Sequence, residues 1–157
     1  MPENILTLAE AVKWRENLRA AGKKVVVTNG CFDLLHRGHA EYLTRAAALG
    51  DALLVLVNSD RSVKMLKGSD RPVNTAEDRA FLLGSLKSVS KTVIFDSARC
   101  DAELAALVPD IYAKAGDYTL ETLDPAERDA LQKAGSKIIF LPFIPGHSTT
   151  ATIAKLK

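Results

Sequence analysis

The residues with the most chemistry lie in one short run, Thr28-Asn29-Gly30-Cys31-Phe32-Asp33-Leu34-Leu35-His36-Arg37-Gly38-His39. Only Arg37 and Gly38 separate His36 from His39, so both imidazoles can face one crevice. The run leaves an apolar stretch and enters a helical pattern. That places the histidines at a helix start, where free N–H groups and the dipole favour an anion. Gly30 and Gly38 let a ligand come close to the backbone. Two imidazole donors in such a place suit a phosphorus centre whose oxygens gain negative charge during transfer. Three other readings compete. A zinc pair would lack a third nearby ligand. Cys31 as a nucleophile matches no cysteine-hydrolase pattern and reads better as a small packed residue. The plainest alternative is that both histidines are structural.

Three further segments carry polar groups after apolar runs. Leu66-Lys67-Gly68-Ser69-Asp70-Arg71-Pro72-Val73-Asn74 could place the Lys67 ammonium on a β- or γ-phosphate, and Arg79 offers a planar fork to the same anion. As an isolated feature this reads as a solvated basic loop. Pro145-Gly146-His147-Ser148-Thr149-Thr150 presents hydroxyls and amides at a second helix start, with Ser148 also serving as an N-cap and His147 incidental. Lys114-Ala115-Gly116-Asp117-Tyr118 taken alone is a turn and little more.

The elements that must position these groups alternate along the chain. Thr7 to Glu10 reads as a capping box that starts a helix running to about Ala20, where Gly22 stops it. Strands are expected at 24–28, 52–58, 92–95, 111–113 and 137–141. Helices are expected at about 38–49, 75–86, 101–107, from 125 after the Asp124 cap, and from Ser148 onward. Residues 60–72 are mixed and read partly as loop. Ala52 to Val57 is apolar without alternation, the mark of a parallel sheet covered on both faces. The expectation is a Rossmann-like, doubly wound α/β fold of five parallel strands with helices on both faces, forming a single domain over 1–157. Ligands of such sheets sit beyond the carboxyl ends of the strands, which is where all four segments fall.

Composition sets the bounds. The chain has 157 residues, 47% hydrophobic and 25% charged, with a formal net charge of +2. That is enough for a core, and too little charge to imply nucleic acid or a membrane surface. No apolar run reaches a membrane span and the start resembles no leader peptide. Cys31 and Cys100 have neither disulfide nor metal spacing, which fits a reducing cytoplasm.

Gly30-Cys31-Phe32-Asp33 through His36-Arg37-Gly38-His39 resembles the GxFD…HxGH signature of the cytidylyltransferase-like nucleotidyltransferase superfamily. Lys67-Gly68 with Arg71 to Asn74 and Arg79, Lys114 to Tyr118, and Gly146 to Thr150 are similar to the adenylyltransferase domain of ADP-heptose synthases. The resemblance implies transfer of AMP from ATP to a heptose 1-phosphate, with pyrophosphate leaving, toward lipopolysaccharide core precursors. It implies catalytic roles for His36, His39 and Lys67. Nucleotide contacts would come from Asn29, Gly30, Cys31, Phe32, Gly38, Arg79, Gly116, Asp117, Ser148, Thr149 and Thr150. Acceptor contacts would come from Asp33, Lys114 and Tyr118, and Mg2+ would accompany ATP with Asp33 as a candidate ligand. A homodimer is implied by analogy with the superfamily. The sugar kinase that many such enzymes carry upstream is absent here, so it is expected as a separate protein. Two departures stand out: Arg37 between the histidines, and Ala115 where a glycine is expected. The rival is a glycerol-3-phosphate cytidylyltransferase using CTP, against which Phe143 to Gly146 lacks the expected arginine. A non-catalytic nucleotide-binding module and a scaffold for a separate kinase are the readings from other classes.

Overall fold

The computed structural model describes residues 3–157. In chain order the elements are β1 (Ile5–Leu6), α1 (Leu8–Ala20), β2 (Val25–Gly30), α2 (Arg37–Ala47), β3 (Ala52–Asn58), α3 (Asp60–Lys67), α4 (Ala76–Gly84), β4 (Lys91–Phe95), α5 (Asp101–Leu107), β5 (Ile111–Ala115), α6 (Pro125–Ala134), β6 (Lys137–Leu141) and α7 (Thr149–Leu156). The helices begin where short polar side chains can take an orphan N–H. Thr7 and Glu10 close the expected capping box. Ser59, Thr75, Asp124 and Ser148 each accept from the backbone three residues on.

The sheet has six strands in the order β1-β4-β3-β2-β5-β6, and every neighbouring pair is parallel. The five expected strands are all present. The sixth corrects the sequence reading: Ile5 and Leu6 pair with Thr92 and Val93 at the sheet edge. Two residues carry no periodicity, so nothing local announced them. The segment read partly as loop holds a further helix, α3, capped by Ser59 with Asp60 in its first turn.

Alternate strand residues feed two cores, as parallel strands covered on both faces require. Val26, Leu53, Val55, Val57 and Ala113 pack with Tyr42, Leu43 and Ala46 of α2 and with Ala80 and Leu83 of α4. Val25, Val27, Leu54, Leu56, Val93 and Tyr112 pack with Ala11 of α1, Leu104 and Leu107 of α5, and Leu131 of α6. The chain winds outward from β2 through β3 to β4, then returns to β5 beside β2 and winds the other way to β6. The strand order therefore reverses between β2 and β5, and a crevice opens at their carboxyl ends. No helix is long and apolar enough to cross a membrane among the described residues.

Candidate active site

A cavity of about 520 Å³ occupies that crevice. β2 delivers Asn29 and Gly30 to it, β5 delivers Lys114 and Ala115, and the start of α7 delivers Ser148, Thr149 and Thr150. The histidine run forms the wall between them. His36 is the N-cap of α2 and His39 lies in its first turn. Their rings stack at 3.8 Å between centroids and 19° between planes, and the Phe32 ring stands edge-on to His39 at 5.2 Å. The His36 backbone N–H donates to His39 Nδ1 at 3.4 Å, which leaves the neutral ring's proton on Nε2. Burial, followed by the neighbouring His36, pushes the His39 pKa down to about 4. Burial also lowers that of His36, with His147 adding to the effect. Both rings are thus neutral donors near pH 7, and buried His36 Nδ1 has no protein partner among the described residues.

Gly38 has a steric reason to be glycine. A Cβ there would stand 2.8 Å from His147 Cβ and 2.9 Å from His36 Cε1. This places His147 in the site: its ring stacks over His36 at 5.9 Å and lines the cavity. Sequence reading took His147 as incidental, because only the fold returns the β6–α7 connection to α2. Thr149 Oγ1 anchors that return by donating to the Leu34 carbonyl at 3.2 Å.

Two expected ligand residues have other partners. Asp33 was read as an acceptor contact or metal ligand. Its side chain is fully buried and accepts from Arg71 Nε at 2.7 Å, from the Val73 N–H at 2.8 and 3.0 Å, and from the Asn74 N–H at 3.1 Å. Burial alone would raise its pKa, but these bonds outweigh it and lower the value. Both oxygens are occupied, so Asp33 splices the histidine loop to the loop before α4. Arg79 was read as a clamp on the triphosphate. It too is fully buried, donating to the carbonyls of Asn74 at 2.9 Å, Cys31 at 2.7 Å and Asn58 at 2.7 Å, with Asp60 Oδ1 at 2.9 Å. Its fork satisfies loop carbonyls, and it does not line the cavity.

The basic groups that do line the cavity are Lys67, Arg71, Arg99 and Lys114, the last held 4.9 Å above the Tyr118 ring. Cys31 lines it as a thiol, since burial raises its pKa despite Lys67, Arg79 and Arg71 nearby. Gly116 and Asp117 are not on the wall. Gly116, at φ 105°, lies under the Phe143 ring, where a Cβ would come within 2.7 Å, and Asp117 is exposed. Sequence reading also missed Arg99 and Glu127, which lie on segments without a phosphate-type pattern.

The described residues hold no group of three His, Cys, Asp or Glu placed to grip a metal ion.

A parallel α/β sheet with a stacked histidine pair and a helix start at its switch point defines a nucleotide-handling enzyme. The chain belongs to the Cytidylyltransferase-like family, whose profile matches residues 27–154. This is a nucleotidyltransferase family. Among curated proteins, the chain is 45% identical over 152 residues to the bifunctional protein HldE of Methylococcus capsulatus, covering 97% of this chain and 32% of that protein. It is 46% identical over 140 residues to HldE of Hyphomonas neptunium, covering 89% and 28%. The chain thus spans about a third of the length of the curated relatives it matches. In those relatives the matched segment is part of a longer bifunctional chain, against the expectation of a separate partner enzyme. Among solved structures, the lipopolysaccharide core biosynthesis protein from Thermoplasma volcanium superposes with a TM-score of 0.63 at 28% identity, covering 78% of this chain and 98% of the other.

Proposed function

We propose that residues 1–157 act as one adenylyltransferase domain, joining AMP from ATP to the phosphate of a heptose 1-phosphate. An acceptor phosphate oxygen attacks the α-phosphorus in line. The bond to the bridging oxygen breaks, and pyrophosphate leaves with the electron pair. No proton needs to move and no covalent enzyme intermediate forms. Catalysis is then positioning and charge stabilisation. The observation that carries this reading is the neutral, stacked His36–His39 pair sharing one cavity with the α7 start. Their N–H groups would meet the charge that grows on the α-phosphate oxygens. Ser148, Thr149 and Thr150 with the α7 amides would hold a phosphate, and Lys67 the triphosphate tail. Asn29, Gly30, Cys31, Phe32 and Gly38 would form the floor beneath the nucleotide. Lys114 and Tyr118 would face the acceptor. Mg2+ enters as the ATP complex.

The curated relatives and the lipopolysaccharide-related neighbour support a sugar-phosphate acceptor of this kind. Incubating the chain with MgATP and heptose 1-phosphate should yield an ADP-sugar, identified by mass, with one pyrophosphate per product. ADP or AMP released without a nucleotide-sugar would contradict the proposal.

A further inference from the structure

We propose that Glu127 is a specificity residue that accepts hydrogen bonds from hydroxyl groups of the acceptor; this rests on the sugar-phosphate reading above. Glu127 is 2% exposed, yet it lines the cavity. One oxygen, Oε2, accepts from the Cys100 N–H and from Cys100 Sγ, both at 3.1 Å. The other, Oε1, has no hydrogen-bond partner among the described residues and is not sealed from solvent. A buried carboxylate with one oxygen held and one free costs stability unless something completes it.

The position of Glu127 says what completes it. The histidines, His147 and the α7 start lie on the α2 side of the sheet edge. Glu127, Cys100 and Arg99 lie on the α5–α6 side, across the carboxyl ends of β2 and β5. The two sides differ chemically. Pro142, Phe143 and Ile144 give the α7 side an apolar wall, with Phe143 66% exposed, which suits the flat face of a base. The α5–α6 side carries charges of both signs: Arg99, Lys114 and Glu127. A phosphate at the histidines, with hydroxyls reaching back to a fixed carboxylate beside Lys114, is how a phosphorylated polyol would span that distance. A carboxylate is acceptor-only, so it selects groups that donate, and hydroxyls at a set distance from the phosphate do so. Glu127 is locked by Cys100, and α6 starts from its Asp124 cap, whose carboxylate accepts from the Glu127 N–H at 3.1 Å. The recognition group is therefore preorganised.

The test is Glu127→Gln, whose amide oxygen can still accept from Cys100 while its NH2 replaces the free acceptor. KM for heptose 1-phosphate should rise about 10-fold or more, with KM for ATP and the melting temperature nearly unchanged. Among single-deoxy analogues of the sugar phosphate, the one lacking the contacted hydroxyl should be penalised by the wild type and not by the variant. If Glu127→Gln fails to fold, Glu127→Asp, which keeps the charge and draws it back by one methylene, should give the same KM split. An unchanged acceptor KM, or a rise in the ATP KM instead, would overturn the assignment, the latter by placing the base amine at Glu127. A wild-type chain inert toward every sugar phosphate would be seen before any variant is made. It would remove the function itself, and this inference with it.

Discussion

In the proposed reaction the histidine pair would act as neutral donors because of what surrounds each ring. His39 is buried, its Nδ1 is taken, and His36 stacks on it. His36→Ala and His39→Ala should each lower turnover by about two to three orders of magnitude at pH 7.5, with thermal melts near wild type. Near-normal turnover in a folded variant would contradict the role. The same pKa makes a stability prediction. The folded value is about 4 against an ordinary 6.5, so between those two pH values the unfolded chain binds more protons. Stability should therefore fall as pH drops from 6.5 toward 4. His39 alone should contribute about 2 kcal/mol after partial solvent screening. Denaturant melts across that window should show the slope in the wild type and a shallower one in His39→Gln. Lys67→Ala should weaken ATP binding by about tenfold while AMP affinity barely changes. Equal losses by calorimetry would contradict its place at the triphosphate tail. Residue types were a fair guide where the needed partners lie close in sequence, as for His36, Gly38 and His39. They said less at Arg79, which the fold keeps off the cavity wall, and at Asp33, which lines the cavity with its oxygens already bonded within the protein. Which carbonyls and amides they satisfy depends on loops brought together only by folding.

Among the elements, the splice between the histidine loop and α4 governs whether the site exists at all. Arg79 reaches Cys31, Asn58 and Asn74 carbonyls and Asp60 from one guanidinium, and no substitute side chain has that reach. Arg79→Met should cost about 3–5 kcal/mol, because it leaves buried carbonyls without donors. At about 2–4 °C per kcal/mol, the melting temperature should drop by roughly 6–20 °C, with the ATP KM of the folded protein little changed. A normal melting temperature with a selectively raised ATP KM would restore Arg79 to the nucleotide. Most helix starts were legible because caps are local: Thr7, Thr75, Asp124 and Ser148 all announce themselves. α3 was harder. Its apolar residues are only Val63, Met65 and Leu66, set among polar and charged ones, so the segment reads as mixed. β1 was invisible, since its sheet partner β4 lies far along the chain, Ile5 pairing with Thr92, and only folding brings them together.

For the molecule as a whole, the parallel sheet was readable because β3 is apolar throughout and each strand is followed by a helix. The place of the site followed from that topology before any side chain was positioned. Left unread was the second side of the cavity, where α5 and α6 bring Arg99 and Glu127 across from the histidines. Those residues sit in stretches that look like ordinary helix starts, and only the packing of α5 on α6 turns them toward the strand ends. Base choice also belongs to this scale. Pro142, Phe143 and Ile144 form the apolar wall in place of the arginine expected of cytidylyl enzymes. A pocket fitted to adenine leaves a polar atom unpaired with cytosine, at a cost of about 1–3 kcal/mol. The decisive measurement is pyrophosphate release with ATP and with CTP, each against heptose 1-phosphate and glycerol 3-phosphate, at one magnesium concentration. ATP with heptose 1-phosphate should exceed every other pairing by at least tenfold in kcat/KM. A preference for CTP, or activity with glycerol 3-phosphate alone, would contradict the assignment.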